Sequence, residues 1–276
     1  MSNEIFKVIK ESIHKYKYTS LEYTQYENVE SYEVLSNNKD LILLQGYNKE
    51  MAMEEYHWAA NKVEALLKEI SKDEEKAIIT FIPDEWVEEM EKHGFKTYAL
   101  WNDYFNNNIE DTIKKVASLE CPLTLEVLKE ENASEISELT MECRGQTRGF
   151  NGATESWVKA WLKNQDPSLK ACNGKNAAIL GFRKDKRLVG VVCAAIYDHN
   201  SNKGPILWIR EIAVSPKHQG QSIGKCLLKE AFHYGRRQGA KRAFLMADEC
   251  NTAAIKLYTT FDFICNPEEK QRDMHL

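Results

Sequence analysis

The chain has 276 residues, a formal net charge of −5, and 43% hydrophobic against 29% charged residues, a balance typical of one large or two modest globular domains. The acidic excess argues against a general nucleic-acid-binding protein, because such proteins displace counterions with lysine and arginine. No apolar run approaches the roughly 20 residues that cross a bilayer, and the first ten residues lack a signal's apolar core, so we expect no membrane association and a cytoplasmic location. The seven cysteines are scattered, with none at a metal-ligand spacing, which predicts reduced thiols and no metal site.

The first 120 residues alternate between helical and strand-like hydrophobic patterns. The apolar run at 41–46 predicts a buried strand, and apolar residues at helical spacing predict a long helix over 49–70. A helix over 84–92 ends before Gly94, a residue that readily takes the left-handed conformation of a helix cap. The remaining predicted elements are a helix at 3–17 and strands at 76–82 and 96–104. We interpret residues 1–120 as a smaller N-terminal α/β domain.

From residue 121 onward the predicted elements are more regular. Strands at 177–182 and 188–197 are joined by a short turn and predict a hairpin, and a helix over 222–238 is capped by Gly239. The other predicted elements are strands at 123–128, 207–214, 242–247 and from 263, and helices at 130–142, 155–163 and 252–261. This order predicts a second domain, residues 121–276, of the α/β class, with a central mixed β-sheet flanked by helices.

A loop containing two glycines follows the predicted strand at 207–214. Gly220 and Gly224 open an amphipathic helix, where converging backbone N–H groups and the positive end of the helix dipole favour an anion. The basic neighbours are Lys217, His218 and Lys225. The spacing fits neither a P-loop nor a GxGxxG dinucleotide fingerprint. From the residues alone, a phosphate-binding loop and a helix N-terminus without a ligand both remain open.

Two segments of this second domain resemble the GNAT superfamily of N-acetyltransferases. The family's pyrophosphate loop reads Gln/Arg-x-x-Gly-x-Gly/Ala after an apolar-Ala-Val-x-Pro strand end; here Gln-Gly-Gln-Ser-Ile-Gly occupies 219–224 after Ile-Ala-Val-Ser-Pro at 212–216. The stretch 251–263, from Asn-Thr-Ala-Ala-Ile-Lys-Leu-Tyr to Asp-Phe, is similar to the family's Asn-x-x-Ala-x-x-Leu-Tyr-x-x-x-Gly-Phe. The departures are Ser222 and Asp262, each in place of glycine. Serine is a common helix N-cap, and aspartate tolerates the left-handed conformation.

The resemblance implies direct transfer of an acetyl group from acetyl-CoA to an amine in a ternary complex. It implies parallel strands that splay apart, with the pantetheine arm between them and a backbone N–H near Ala213 stabilising the oxyanion. Tyr258 is implied as the acid that protonates the departing thiolate. Glu211 is our first choice for the base, because its strand is otherwise apolar, and Asp248 is the second. The implied cofactor-binding residues are Ile212, Ala213, Val214, Gln219, Gly220, Gln221, Ser222, Ile223, Gly224, Lys225 and Asn251.

Each of these site residues also has an ordinary structural explanation. Tyr258 suits a core aromatic residue, and Asn251 suits a helix cap. Glu211 suits a salt bridge, for which the candidate partners are Arg210, Lys217 and Arg183. Relatives build the acceptor site in the region of 142–163. The residues there that suit either an acceptor site or a solvated surface are Glu142, Arg144, Arg148 and Trp157.

Two other functions stay open at this point. Because Ser222 and Asp262 depart from the family pattern, the chain suits a non-catalytic acetyl-CoA-binding or interaction module as well. An acyltransferase for longer acyl groups is the other alternative. The acceptor is either a small amine or a protein amine, and a homodimer is among the possible assemblies.

The N-terminal half resembles a shortened copy of the second domain. Its order of strand, helix, strand, helix, Gly94-Phe95, strand mirrors the later order that passes through Asp262-Phe263. We interpret the first half as a degenerate GNAT-like copy without a cofactor loop, which shapes the acceptor cleft or a dimer surface.

Overall fold

The computed structural model describes residues 1–49, 51–70 and 76–276, without the side chains of 267 and 269, and it divides into two compact units. The first unit contains Met1–Trp101 together with Lys270–Leu276, and the second contains Asn102–Glu269. Residues 102–120 therefore lie in the second unit rather than with the first half of the chain. The division into independently folding domains of 1–120 and 121–276 stays a prediction.

The N-terminal unit is built on an antiparallel meander and one parallel strand pair. Its strands are β1 (Tyr18–Thr19), β2 (Glu33–Asn37), β3 (Leu41–Asn48), β4 (Met53–Ala60) and β5 (Ala77–Ile79), and its helices are α1 (Asn3–Ser12), α2 (Tyr26–Val29), α3 (Val63–Glu69) and α4 (Val87–Lys92). β2, β3 and β4 are antiparallel neighbours, β5 is parallel to β4, and β1 pairs with the end of β4. Single 3₁₀ turns lie at Ile13–Lys15, Leu21–Tyr23 and Asp84–Trp86.

Two long strands contain the boundaries between the units: β6 (Lys96–Asn106) and β12 (Ile264–His275). The end of β12 completes the sheet of the N-terminal unit, because Met274 and His275 pair antiparallel with Ile79 and Ile78. The last strand of this unit therefore comes from the far end of the sequence.

The predicted helix over 49–70 is wrong in its first part, which forms β4, and only Val63–Glu69 is helical. Residue 50 lies outside the described residues. Tyr56, Trp58 and Ala60 alternate along β4 and are fully buried. Their spacing of two suits a strand, and large aromatic residues favour strands. The same segment also fits a helical period, which is why its pattern was misleading.

The C-terminal unit contains a larger mixed sheet flanked by helices, as predicted. Its strands are β7 (Leu125–Leu128), β8 (Lys175–Lys184), β9 (Arg187–Tyr197), β10 (Ile206–Val214) and β11 (Arg242–Asp248), with parts of β6 and β12. Its helices are α5 (Ile109–Lys115), α6 (Ala133–Glu142), α7 (Glu155–Leu162), α8 (Pro167–Ala171), α9 (Ile223–Arg237) and α10 (Thr252–Thr260). The strand order is β6-β11-β10-β9-β8-β7. The sequence patterns missed α5 and α8.

Two apolar cores cover the two faces of this sheet. Leu180 and Val192 pack with α9, whereas their neighbours Ile179 and Val191 pack with α6 and α7. This alternation is the period-two pattern of a strand buried on both faces. The predicted hairpin is confirmed, with β8 and β9 antiparallel. No helix in the described part of the chain is long and apolar enough to cross a membrane.

Candidate active site

The parallel strands β10 and β11 separate towards their carboxyl ends. Within the described residues their register is Ile206 with Arg242, Leu207 with Ala243 and Trp208 with Phe244, and no further pairing follows. β10 nevertheless continues to Val214 and β11 to Asp248. The opposite edge of β10 stays paired with β9 as far as Val214. The far half of β10 therefore presents one backbone edge that no strand covers.

A cavity of about 640 Å³ opens beside this uncovered edge. Its walls come from the end of β10, the loop before α9, the start of α10 and the loop after α6. Ten of the eleven predicted cofactor-binding residues line it: Ile212, Ala213, Val214, Gln219, Gly220, Ser222, Ile223, Gly224, Lys225 and Asn251. Gln221 does not line it; its side-chain amide donates to the Lys217 carbonyl at 3.4 Å.

The loop before α9 uses two left-handed residues to turn its backbone towards the cavity. Gly220 has φ +74, a conformation natural to glycine. Ser222, directly before α9, has φ 62 and ψ 9, and its hydroxyl makes no capping hydrogen bond. Ser222 therefore stands at the helix start, as expected, but in a left-handed conformation and without a side-chain cap. A Cβ added at Gly224 would lie 3.2 Å from Leu257 Cδ2, and Leu257 itself lines the cavity.

Several positively polarised groups face the same cavity. Lys225 and Lys256 line it, and α9 points its N-terminus into it. His218 also lines the cavity, and among the described side chains its buried Nδ1 atom has no hydrogen-bond partner. An orphaned buried nitrogen at the positive end of a helix suits a ligand that carries acceptor oxygens. The residues present therefore fit a phosphate-bearing cofactor.

The loop after α6 closes one side of the cavity through contacts with Val214. The Val214 carbonyl accepts from Cys143 Sγ at 3.3 Å and from Gln219 Nε2 at 3.1 Å. Gln219 Nε2 also donates to Gln146 Oε1 at 2.7 Å. Burial, and then the charges of Glu142 and Glu211, raise the pKa of the Cys143 thiol to about 11, so it stays protonated and donates. Cys143 and Gln146 were not predicted as site residues, because only the tertiary fold brings this loop to β10.

Tyr258 and Asn251 both lie on α10 or at its start. The Asn251 Oδ1 atom accepts from Ala254 N at 3.1 Å, so Asn251 caps the helix as well as lining the cavity. Tyr258 is only 6% exposed and does not line the cavity; its ring packs against Tyr104 and Phe263. Burial, with a further effect of Tyr104, raises the pKa of the Tyr258 phenol. The phenol is therefore protonated at neutral pH, as a general acid must be.

The two candidate bases have different surroundings. Asp248 is almost fully buried and holds Arg148 through two contacts, at 2.9 Å to Nη2 and 3.3 Å to Nε. The Asp248 carboxylate is thus occupied by the Arg148 guanidinium. Glu211 is half-buried on β10, next to cavity-lining Ile212. Arg183, suggested above as a partner of Glu211, instead binds Glu126 and Glu135.

The contacts of Arg148 and Trp157 connect the region 142–163 to β11 and β10. Arg148 joins the loop after α6 to the end of β11 through Asp248. Trp157 stacks on Trp161, with ring centroids 5.3 Å apart, and lies beneath the guanidinium of Arg210. No group of three or more metal-binding side chains is found among the described residues.

Part of the chain is similar in sequence to known acetyltransferases. A sequence model of the acetyltransferase (GNAT) family matches residues 135–263. An uncharacterized N-acetyltransferase of Methanocaldococcus jannaschii is 28% identical over 115 residues, 42% of this chain and 46% of the relative. The spermine/spermidine N(1)-acetyltransferase of Bacillus subtilis is 33% identical over 73 residues, 26% of this chain and 47% of the relative. The chain thus spans less than half the length of these curated relatives.

Solved structures share the fold over most of the chain. A tandem GNAT protein from the clavulanic acid biosynthesis pathway has a TM-score of 0.56 at 12% identity, covering 86% of this chain and 78% of that one. A functionally unknown conserved protein from Staphylococcus epidermidis has a TM-score of 0.55 at 14% identity, covering 91% and 97%. At these identities the likeness concerns the fold.

Proposed function

We propose that the chain is an N-acetyltransferase that uses acetyl-CoA as co-substrate, because a sequence model of the acetyltransferase (GNAT) family matches residues 135–263. The reaction is direct transfer of the acetyl group to an amine while both substrates are bound. The observation that carries this proposal is the uncovered edge of β10 at Ile212, Ala213 and Val214, which leads to the glycine loop at the start of α9.

The pantetheine arm of acetyl-CoA suits this uncovered edge because it carries two amide groups. An extended amide chain can pair with a free strand edge as an additional strand does. The Val214 carbonyl already accepts from Gln219 and Cys143, so pairing with a cofactor amide requires those contacts to rearrange. Backbone N–H groups of residues 220–225, the Lys225 and Lys256 ammonium groups and His218 Nδ1 then bind the phosphates.

When bound, acetyl-CoA supplies a thioester whose carbonyl carbon accepts the amine. In the proposed mechanism a backbone N–H near Ala213, on the edge of β10 that β9 does not cover, donates to the carbonyl oxygen as negative charge develops there. Glu211 takes a proton from the amine, and we prefer it to Asp248, which is held by Arg148. The Tyr258 phenol, kept protonated by burial, is the proposed proton donor to the departing thiolate. Since Tyr258 is buried and does not line the cavity, this last role requires a rearrangement at α10.

The first experiment is calorimetric titration of acetyl-CoA into the wild type, Gly224→Glu and a control, Gln238→Glu. The Gly224→Glu carboxylate would lie against the bound phosphates and Leu257, so we expect affinity to fall at least about 100-fold, since like charges in contact repel by several kcal/mol. Gln238→Glu adds the same charge at the exposed far end of the helix and should bind as the wild type does.

The outcomes separate the proposal from its rivals. Wild-type binding followed by thiol release with some amine of a panel supports the N-acetyltransferase. Tight binding without thiol release for any amine would favour a non-catalytic module, and faster turnover of a longer acyl-CoA would favour the other acyltransferase. Absence of binding, or equal binding by Gly224→Glu, would overturn the proposed cofactor site.

A further inference from the structure

A β-bulge in β10 places two neighbouring charges on one face of the sheet. The pairing of β10 with β9 shifts between Ile209, opposite Ala194, and Glu211, opposite Cys193, which leaves Arg210 as the extra residue. Arg210 lies over Trp157 and Trp208, which belong to the side packed by α6 and α7. The charge of Glu211 acts on Cys143 and Cys193 of that same side. In a regular strand, consecutive side chains would point to opposite faces.

Among the described residues no carboxylate lies within salt-bridge distance of Arg210. Its guanidinium carbon lies 5.8 Å from the ring centroid of Trp157 and 6.0 Å from that of Trp208. Such cation–π contacts orient the planar guanidinium while leaving its N–H donors available. Arg148, by contrast, is held by Asp248 and Glu249. Arg210 is exposed, so an anion from solution can reach it.

Glu211 lies between Arg210 and the cavity. The next residue along β10, Ile212, lines the cavity, and so does Cys143, whose thiol the charge of Glu211 affects. Successive strand residues advance about 3.3 Å, so the proposed thioester position beside Ile212 and Ala213 lies within about 10 Å of the Arg210 backbone. A carboxylate and an amine joined by one carbon atom fit between such an arginine and such a glutamate.

A row of aromatic rings continues from Arg210 across the same face. Trp161 meets Trp208 at 5.6 Å, Trp208 meets Tyr197 at 6.3 Å, and Tyr197 meets Phe244 at 6.3 Å between centroids. Trp208, Tyr197 and Phe244 are half-buried, so part of each ring is open. These rings offer a flat apolar surface suited to an aromatic or large aliphatic side chain.

We propose that the acceptor is an α-amino acid with a large apolar side chain, whose carboxylate binds Arg210 and whose amine meets Glu211. This inference rests on the proposed function and names its substrate class. A polyamine fits poorly, because its additional positive charges would meet the Arg210 guanidinium. In the reaction the ammonium group gives one proton to Glu211, the nitrogen forms the N–C bond as the thioester C–S bond breaks, and the second proton goes to the thiolate. The products are the N-acetyl amino acid, free thiol and one proton.

The test compares two amines that differ only in the carboxylate, phenylalanine and 2-phenylethylamine, with wild type, Arg210→Gln and Arg210→Lys. We expect Arg210→Gln to lower kcat/KM for phenylalanine at least about tenfold, mainly through KM, as loss of a charge-assisted bond at an exposed site does. Activity with 2-phenylethylamine should change less than about threefold, and Arg210→Lys should recover part of the loss, because lysine keeps the charge without the fork of donors. Arg237→Gln, at an exposed position of α9, is the matched control.

An equal loss with both amines, or a wild type that prefers 2-phenylethylamine, would overturn the inference. Failure of the proposed function is separate: it would show as no acetyl-CoA binding and no thiol release with any amine. In that case phenylalanine is titrated by calorimetry into wild type and Arg210→Gln without cofactor. Binding at least about tenfold weaker in the variant supports the Arg210 site, and equal binding or none overturns it.

Discussion

In each unit one strand of a parallel pair continues beyond the paired residues, and the two units differ in what lies beside that strand. In the N-terminal unit β4 and β5 pair over Glu54 with Ala77, Glu55 with Ile78 and Tyr56 with Ile79, and β4 then continues to Ala60. In the C-terminal unit β10 and β11 also share three residue pairs before β10 continues to Val214.

The gap beside β4 is filled by the protein itself. β1 pairs with Ala59 and Ala60, and Ser20 N donates to the Trp58 carbonyl at 2.9 Å. The Trp58 indole is fully buried, and its Nε1 atom donates to the Thr80 carbonyl at 3.0 Å. The backbone groups that a ligand would need are therefore already hydrogen-bonded, and the space that it would need is already filled. Beside β10 the corresponding space is the cavity of about 640 Å³.

The helices that follow the two gaps end in the same hydrogen-bond pattern. After α4, Gly94 N donates to Glu91 O and Phe95 N donates to Met90 O. After α10, Asp262 N donates to Thr259 O and Phe263 N donates to Tyr258 O. Gly94 and Asp262 both have positive φ, and both phenylalanines are buried. Met90 therefore occupies in the first unit the position of Tyr258 in the second.

This difference shows how one architecture can be either a closed core or a binding site. Strand edges that separate leave backbone groups that need partners, and the partners come either from the same chain or from a ligand. In the N-terminal unit the chain itself supplies these partners. The position that corresponds to Tyr258 holds Met90, which cannot donate a proton. The C-terminal unit keeps the open edge and a tyrosine. We therefore propose that only the second unit binds acetyl-CoA.

Replacing Trp58 should have the largest effect of the changes that test this comparison. Trp58→Ala would empty the filled gap of the N-terminal unit and should lower the free energy of unfolding by about 3–5 kcal/mol, as large-to-small changes at buried tryptophans do. Trp58→Phe keeps most of the volume but loses the bond to Thr80, and about 1–2 kcal/mol is expected. Urea unfolding followed by circular dichroism measures both. A loss below about 1 kcal/mol for Trp58→Ala would mean that the gap is not closed by packing.

The next effect concerns the pair Tyr258 and Met90. Tyr258→Phe should lower kcat about 100-fold, a usual contribution of general acid catalysis, while the Kd for acetyl-CoA stays unchanged. Because burial raises the pKa of the phenol, it stays protonated as pH rises, so the reduction should be constant between about pH 7 and 9. Tyr104→Phe removes a neighbouring phenol and should retain wild-type kcat. Full activity of Tyr258→Phe would remove the catalytic distinction between the two units.

Local signals in the sequence predicted most of the C-terminal unit. Hydrophobic periodicity and the glycine after α9 identified the hairpin, α9 and α10 within a few residues, because such signals act between near neighbours. The two family-like segments predicted ten of the residues that line the cavity. Asp262 was expected to tolerate a left-handed conformation, and its φ of 56 confirms this.

The errors concern features set by distant residues. The segment containing Tyr56 and Trp58 fits helical and strand periods equally, and only its pairing with β3 decides for a strand. The pairing of Met274 with Ile79 joins residues that are far apart in the sequence, so no local pattern could indicate it. The bulge at Arg210 depends on the register with β9 and was equally invisible. Contacts of this kind follow from tertiary packing rather than from propensity.

The smallest expected effect is a difference in stability between glycine substitutions at Ser222 and at Asp262, the two residues that stand where the family has glycine. Both have positive φ, 62 and 56, which costs a residue with a side chain about 1–2 kcal/mol. Asp262 has compensation, because it accepts from Thr112 Oγ1 at 2.9 Å and pairs with Lys115. Ser222 is exposed, and its side chain makes no capping bond.

Ser222→Gly should therefore raise the free energy of unfolding by up to about 1 kcal/mol, because strain is relieved and no contact is lost. It should leave acetyl-CoA binding equal or tighter, since the loop backbone keeps its conformation. Asp262→Gly, which restores the residue found at Gly94 in the other unit, relieves the same strain but removes both contacts, so no gain or a small loss is expected. Thermal unfolding and calorimetry measure the pair. If Ser222→Gly destabilised the protein, or Asp262→Gly stabilised it equally, side-chain contacts would not be what distinguishes the two positions.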